Sequence, residues 1–266
     1  AMAEKSLKRF GLDHVDILLL PFADKKEFVL YEPILKAMAE LKKQGKTRFL
    51  GIASHGSSEE AIRAAADCGV YDVMMIAYNY TVKNRDTLDK TMSYMTGKGL
   101  GIVAMKTTAG AFRDKDRKKP LNTDAALKWV LNNKDITSIV SGMSTVDELR
   151  RNLKMIGDLE MSDAEMKDLD LAALEKEPGL YCQQCLKCLP QCPNRLDIPT
   201  LMRSYMYAYG YRDAAHARYT IDTVDLSGGT CGDCGACRVK CTAGFDIKDR
   251  VQDIIRLKNV PLDFLK

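Results

Sequence analysis

The chain has 266 residues, with 40 basic against 36 acidic side chains, a formal net charge of +4 and nine cysteines. That length supports one or two domains with a sizeable core, and the near-balance of charge argues against the clustered basic footprint of a nucleic-acid binder. Apolar runs such as "VDILLL" (15–20) are far too short to span a bilayer, so no membrane span is expected.

The chain opens "AMAEKS", already in helical pattern and with no visible signal peptide. It reads as a C-terminal fragment whose natural start lies upstream, with the cytoplasm as the expected compartment. After the first helix ("AEKSLKRFG"), continuous apolar runs at 14–20, 48–54, 72–79, 101–106 and 138–142 predict strands covered on both faces. The helices between them have readable ends. Pro33 marks a start and Gly45 an end. Ser57 with Glu60, Thr145 with Glu148 and Ser162 with Glu165 have capping-box spacing. Cys68 closes a helix before Gly69 and reads as a small apolar residue. His14 reads as structural, and His216 receives no role.

Five βα units are too few for a closed barrel, which needs eight. An open doubly wound sheet is the alternative, but no G-x-G-x-x-G follows any strand. The predicted fold is therefore α/β, a partial (β/α)8 barrel of the last five βα units over residues 1–175. The linker "EKEPGL" (175–180) carries the breakers Pro178 and Gly179. Beyond it, residues 181–266 form an expected helical tail domain. Its tyrosines at 205, 207, 209 and 211 fit packing better than a stacking platform for nucleic acid, and the segment is expected to be helical.

Eight of the nine cysteines fall in this tail, in two C-x2-C-x2-C-x3-C runs: Cys182, Cys185, Cys188, Cys192 and Cys231, Cys234, Cys237, Cys241. The spacing is that of bacterial ferredoxins and predicts two [4Fe–4S] clusters. In that pattern the fourth cysteine of each run serves the other cluster. The implied sets are Cys182, Cys185 and Cys188 with Cys241, and Cys231, Cys234 and Cys237 with Cys192. Two zinc sites are the competing reading, because thiolate quartets suit zinc as well.

Taken together, "SLKRFGLDHVDILLL", "LKKQGKTRFLGIAS", "AYNY", "GIVAMKTTAG" and "ALKWVLNNKDITSIVSGMSTVDELRRNL" resemble the second half of an aldo/keto reductase. The cysteine tail is similar to that of a bacterial subfamily ending in a ferredoxin-like domain. The resemblance implies a (β/α)8 barrel that binds NADP or NAD without a Rossmann domain. It also implies hydride exchange with a small carbonyl or alcohol compound, and a tyrosine, lysine and aspartate as the reacting groups. Those three positions lie upstream of this chain. Where the family orients its substrate with histidine stands Pro21, which has neither an N–H nor a side-chain donor. No catalytic residue is assigned here.

For the cofactor, the resemblance implies Ser54 and His55 at the nicotinamide carboxamide, with Met75 replacing a glutamine. It further implies Lys106 at the rim, Gly142, Met143 and Ser144 at a phosphate-binding helix start, and Asn152 at the adenine. Glu148 stands near the usual 2′-phosphate arginine, and "FRDKDRKKP" (112–120) resembles a pyrophosphate loop. Nicotinamide moves two electrons together and a cluster one. With no flavin fingerprint in sight, the clusters are expected to exchange electrons with a redox partner protein. The alternative is an electron-transfer module whose barrel has lost its chemistry.

Overall fold

The computed structural model describes residues 2–21, 23–56, 58–143, 145–174, 179–235 and 237–265. Ser57, Ser144 and Pro178, singled out above, lie outside the described residues. The chain forms two compact units: residues 1–107 with 128–159, and residues 108–127 with 160–266.

The first unit begins with α1 (Met2–Phe10), β1 (Val15–Leu20), the short α2 (Lys26–Val29) and α3 (Glu32–Lys43). It continues through β2 (Thr47–Ser54), α4 (Glu59–Asp67), β3 (Val73–Ala77), α5 (Arg85–Gly97) and β4 (Gly101–Met105). After α6 (Thr123–Leu131), which crosses from the second unit, it ends with β5 (Ser138–Val140) and α7 (Val146–Ile156). All five expected strands form. They pair in parallel in the order β1-β2-β3-β4-β5. A doubly wound sheet reverses its strand order at a switch point; this one never does, which is the order of a barrel segment.

The helix ends follow local chemistry. Pro33 lies in the first turn of α3, and Gly45 takes the left-handed φ of +69° just past its end. Thr145 and Glu148 complete a reciprocal capping box on α7. Ser162 and Glu165 do the same before the helix at 163–174. On α4 the Ser57 position lies outside the described residues, and the side chain of Ser58 accepts from the Ala61 N–H as its cap.

Leu50, Ile52, Met74, Ile76 and Ile102 on the central strands are buried beneath the helices. The outer strands differ from expectation. No residue of β1 is fully buried, and Ile17 there and Val140 in β5 are 41% and 47% exposed. These are the two edges of an unclosed sheet, so only β2, β3 and β4 have strands on both sides. Tyr78 anchors the core beyond β3: its hydroxyl donates to Asp89 (2.7 Å) and accepts from Asn133 (3.0 Å), and its ring stacks on Trp129. Burial, helped by the Asp89 bond, pushes its pKa up to about 12.

The second unit holds the loop at 108–127, α8 (Asp163–Leu174), α9 (Ile198–Tyr209), α10 (Ala214–Asp222) and α11 (Ile247–Ile255). α9 is its centre, buried continuously from Ile198 to Met206. Ser204 bonds α9 to the Ala217 carbonyl of α10, and Tyr209 bonds it to Asp253 of α11. The tyrosine segment is thus helical and packs inward: Tyr205 is buried and its ring lies 4.5 Å from that of Tyr209. The loop at 112–120 bonds partly within itself. Asp114 accepts from the Lys118 and Lys119 N–H groups, and Arg117 stacks 4.0 Å over Phe112. Near it, Gly110 and Gly210 meet so closely that a Cβ on Gly210 would lie 2.8 Å from the Gly110 carbonyl oxygen.

The tail also repeats beyond its cysteines. Five residues after the fourth cysteine of each run comes an aspartate, Asp197 or Asp246, whose side chain caps the next helix. Leu196 and Ile198 flank the first cap, Phe245 and Ile247 the second, and all four are buried. Arg195 (φ +51°) and Gly244 (φ +82°) hold the same left-handed position three residues past each fourth cysteine. The unit is a duplicated turn-and-helix.

The tightest interior position in the sheet is Gly51. A Cβ there would lie 2.5 Å from Leu19 Cδ2 and 2.7 Å from the Val73 carbonyl oxygen. Since that oxygen belongs to the neighbouring strand, Gly51→Ala must spread the sheet. We expect a loss of about 1–3 kcal/mol, the usual cost of overpacking, measured as a lowered denaturant midpoint.

Candidate functional site

The eight tail cysteines divide by geometry into two quartets that cut across the two runs. Cys192, from the first run, lines one pocket together with Cys231, Cys234 and Cys237 of the second. Cys231 has Cys237, Cys192 and Cys234 as its neighbouring thiols, whereas Cys182 has Cys188, Cys241 and Cys185. Gln191 makes the crossing. Its side-chain oxygen accepts from the Lys240 N–H (2.7 Å), and its amide donates to the Lys187 carbonyl (2.7 Å). The residues just before Cys192 and Cys241 are thereby tied together.

Burial pushes the Cys182 thiol up to about 12 and those of Cys188 and Cys231 up to about 11, and their neighbouring thiols push the same way. Four crowded thiols cannot all ionise without a positive centre among them. The chain supplies part of that charge from one helix. Lys248 on α11 lines the cavity and donates to the Cys234 and Gly235 carbonyls (3.2 and 3.3 Å). Two residues on, Arg250 is held between the rings of Phe245 and Tyr205, 4.3 and 5.0 Å from their centroids. Its buried Nη1 has no hydrogen-bond partner among the described residues, and Cys241 and Cys182 are among its electrostatic neighbours.

Around the first quartet, Gln184 and Leu186 take left-handed φ values of +54° and +61°. Alternating handedness turns successive N–H groups inward, forming the concavity that holds phosphates and iron–sulfur clusters elsewhere. The Ala243 N–H donates to Cys241 Sγ, Asn194 donates to Cys234 Sγ, and Cys185 Sγ lies 3.5 Å from Thr242 Oγ1. Among the described residues no three His, Cys, Asp or Glu side chains are grouped as a single metal ion requires. The second quartet surrounds a space. Soft thiolate donors, inward amides and nearby cations fit a polynuclear iron–sulfur group.

The barrel-type unit places its expected cofactor residues at one end of the sheet, beyond the C-terminal ends of the strands. Ser54 ends β2 and His55 follows it, Lys106 follows β4 with a left-handed φ of +57°, and Gly142 and Met143 follow β5 exposed to solvent. Ser54 is fully buried, and its hydroxyl donates to Asp24 Oδ1 (2.6 Å). The same oxygen accepts the His55 and Gly56 N–H groups, both at 2.8 Å. Asp24 was not anticipated. It lies 30 residues from Ser54, in a loop with no local pattern to mark it. Its carboxylate uses the Ser54 proton but leaves the Ser54 lone pairs free to accept an amide N–H.

Asn152, in α7, is buried, and its side-chain oxygen has no hydrogen-bond partner among the described residues. That orphaned acceptor matches an amine donor such as the one adenine carries. The helix start before it is less welcoming to a second phosphate. Glu148 folds back onto the Thr145 N–H, and Arg150 pairs with Asp147. Pro21 follows β1 and is exposed. The residues present fit a dinucleotide in part.

A barrel-type α/β unit followed by a cysteine-quartet unit defines a redox class of protein. Residues 1–125 match the sequence model of the aldo/keto reductase family, and residues 181–246 match that of the 4Fe-4S dicluster domain. The chain therefore carries an aldo/keto reductase domain with a 4Fe–4S dicluster domain at its C-terminus. It is 27% identical over 206 residues to L-galactose dehydrogenase of Arabidopsis thaliana, covering 66% of this chain and 63% of that protein. It is 22% identical over 227 residues to L-glyceraldehyde 3-phosphate reductase of Escherichia coli O157:H7, covering 68% and 64%. The chain thus spans under two thirds of the length of these relatives. Among solved structures, the holo aldo-keto reductase AKR11C1 from Bacillus halodurans aligns with a TM-score of 0.51 at 16% identity, over 69% of this chain and 68% of that one. That likeness concerns the fold. Among the described residues, no helix is long and apolar enough to cross a membrane.

Asp24 gives the site a direct test. Asp24→Ala leaves one hydroxyl and two N–H groups without their acceptor. We expect a loss of about 1–3 kcal/mol by denaturant titration, and faster amide exchange at His55 and Gly56 by mass spectrometry.

Proposed function

We propose that the chain is the C-terminal part of an aldo/keto reductase-type oxidoreductase whose tail holds two [4Fe–4S] clusters. The barrel, residues 1–175, would bind NAD or NADP and act on a small carbonyl or alcohol compound. The tail, residues 181–266, would exchange electrons with a redox partner protein, in a reducing compartment such as the cytoplasm that keeps thiols free. When bound, a nicotinamide supplies or accepts hydride and the clusters carry single electrons.

The observation that carries the reading is Cys192 lining one cavity with Cys231, Cys234 and Cys237. On this reading Cys182, Cys185, Cys188 and Cys241 hold the second cluster, Lys248 and Arg250 offset the thiolate charge, and Gln191 fixes the crossing. At the barrel end, Ser54 would accept the carboxamide N–H, Asp24 would hold Ser54, and Asn152 would accept the adenine amine. Lys106, Gly142, Met143 and Ser144 would lie along the ligand between them. Glu148 at the α7 start and the Arg150–Asp147 pair favour NAD over NADP, although an exposed pair is a weak obstacle.

A second reading, an electron-transfer module with a degenerate barrel, rests on Pro21, which lacks any donor for a carbonyl. In the full-length protein, Ser54→Ala and Asn152→Ala should each weaken dinucleotide binding up to roughly tenfold, the worth of one hydrogen bond. Calorimetric affinities unchanged in both variants would favour the module.

For the tail, anaerobically reconstituted protein should carry about eight iron and eight sulfide per chain, from two four-iron units. Cys192→Ala should alter the same paramagnetic resonance signal as Cys234→Ala, and Cys241→Ala the same signal as Cys185→Ala. Signals that group Cys192 with Cys185 would mean that each run closes its own site.

A further inference from the structure

We propose that the corner of the tail around Cys185 is the docking surface for an acidic one-electron carrier protein, contacted by Lys187 and Lys240. The inference rests on the two-cluster reading above and adds to it where electrons enter or leave, and what kind of partner brings them.

Of the eight tail cysteines Cys185 alone is exposed; the others are buried or half-buried. Electron exchange between proteins falls off steeply with distance, so a group held by Cys185 is the one a partner reaches. The chain around it is unevenly charged. The segments 182–195 and 231–241 contain four basic residues and one acidic residue, Asp233, in a protein whose overall charge is only +4. All four basic side chains are exposed, and none has an ion-pair partner among the described residues. The acidic groups just beyond each run are turned to other work. Asp197 and Asp246 each accept a backbone N–H at a helix start.

Two of these cations also converge. Gln191 bonds the backbones of both Lys187 and Lys240, bringing positions from the two runs to one place beside the Cys185 quartet. Arg195 and Arg238 belong to the other quartet: the Arg195 N–H bonds the Cys192 carbonyl, and Arg238 lines the cavity that Cys192 shares. The pair Lys187 and Lys240 beside the one exposed cysteine complements an acidic partner, and such complementarity acts mainly on the rate of encounter. In the transfer itself the carrier is oxidised by one electron and the acceptor group reduced by one, with no bond made and no proton moved.

The test uses the full chain loaded anaerobically with iron and sulfide, mixed in a stopped-flow with a pre-reduced, strongly acidic [2Fe–2S] ferredoxin at low salt. An uncharged small reductant, photogenerated 5-deazariboflavin radical, serves as the control. In Lys187→Glu/Lys240→Glu the rate with the acidic ferredoxin should fall at least tenfold and lose its salt dependence. Iron content, visible spectrum and the rate with the small reductant should stay as in the wild type. An unchanged ferredoxin rate in a fully loaded variant overturns the docking surface and leaves the cluster reading standing. A wild-type chain that takes up no iron–sulfur group overturns both. Should the double variant load poorly, a wild-type rate that is flat from low to high salt decides against the surface on its own.

Discussion

The tail depends on a single side chain that serves two segments. Gln191 accepts from Lys240 on one side and donates to Lys187 on the other, so the fourth cysteine of each run points away from its own three. The consequence is topological. Each quartet draws on both ends of the 182–241 stretch, and neither can assemble from one run alone. A domain with so small a core would gain stability if such a loop were closed through metal. α9, buried along nine successive residues, is what the closed loop wraps.

The barrel-type unit obeys a different constraint. Its strands follow one another in sheet order without reversal, which leaves every strand end carrying its loop to the same side. Ser54, Lys106 and Gly142 are brought to that side although 88 residues separate the first from the last, as their numbers 54 and 142 give. The Asp24 carboxylate then decides the state of the Ser54 end. With one oxygen accepting three short hydrogen bonds, the loop after β1 is fastened to the loop after β2, and any ligand there meets a serine that can only accept.

Local features were legible in the sequence and distant ones were not. Strand positions, the Thr145–Glu148 and Ser162–Glu165 boxes and the cysteine spacing are short-range patterns, and each appears in the fold. Periodicity could not say which strands would form the edges, so β1 and β5 looked as buried as β3. Asp24 escaped because nothing near it marks a carboxylate that will bond 30 residues away. The repeat of the tail was visible in principle, but it runs past the cysteines into Asp197 and Asp246, where the spacing argument had stopped. Arg250 was unremarkable as a letter. Its meaning comes from the two rings that hold it and the donor left without a partner.

The close meeting of Gly110 and Gly210 bears on how such a protein can be rearranged. Residues 108–127 leave the sheet after β4, pack within the cysteine-bearing unit and return through α6. The tail is therefore no cassette to be cut at the linker and spliced elsewhere. A transplant of residues 181–266 would leave behind a strip of its own interior, and Gly210 would face a vacancy where the Gly110 backbone had been. Conversely, a barrel trimmed at the linker would keep a loop shaped for a surface it no longer owns.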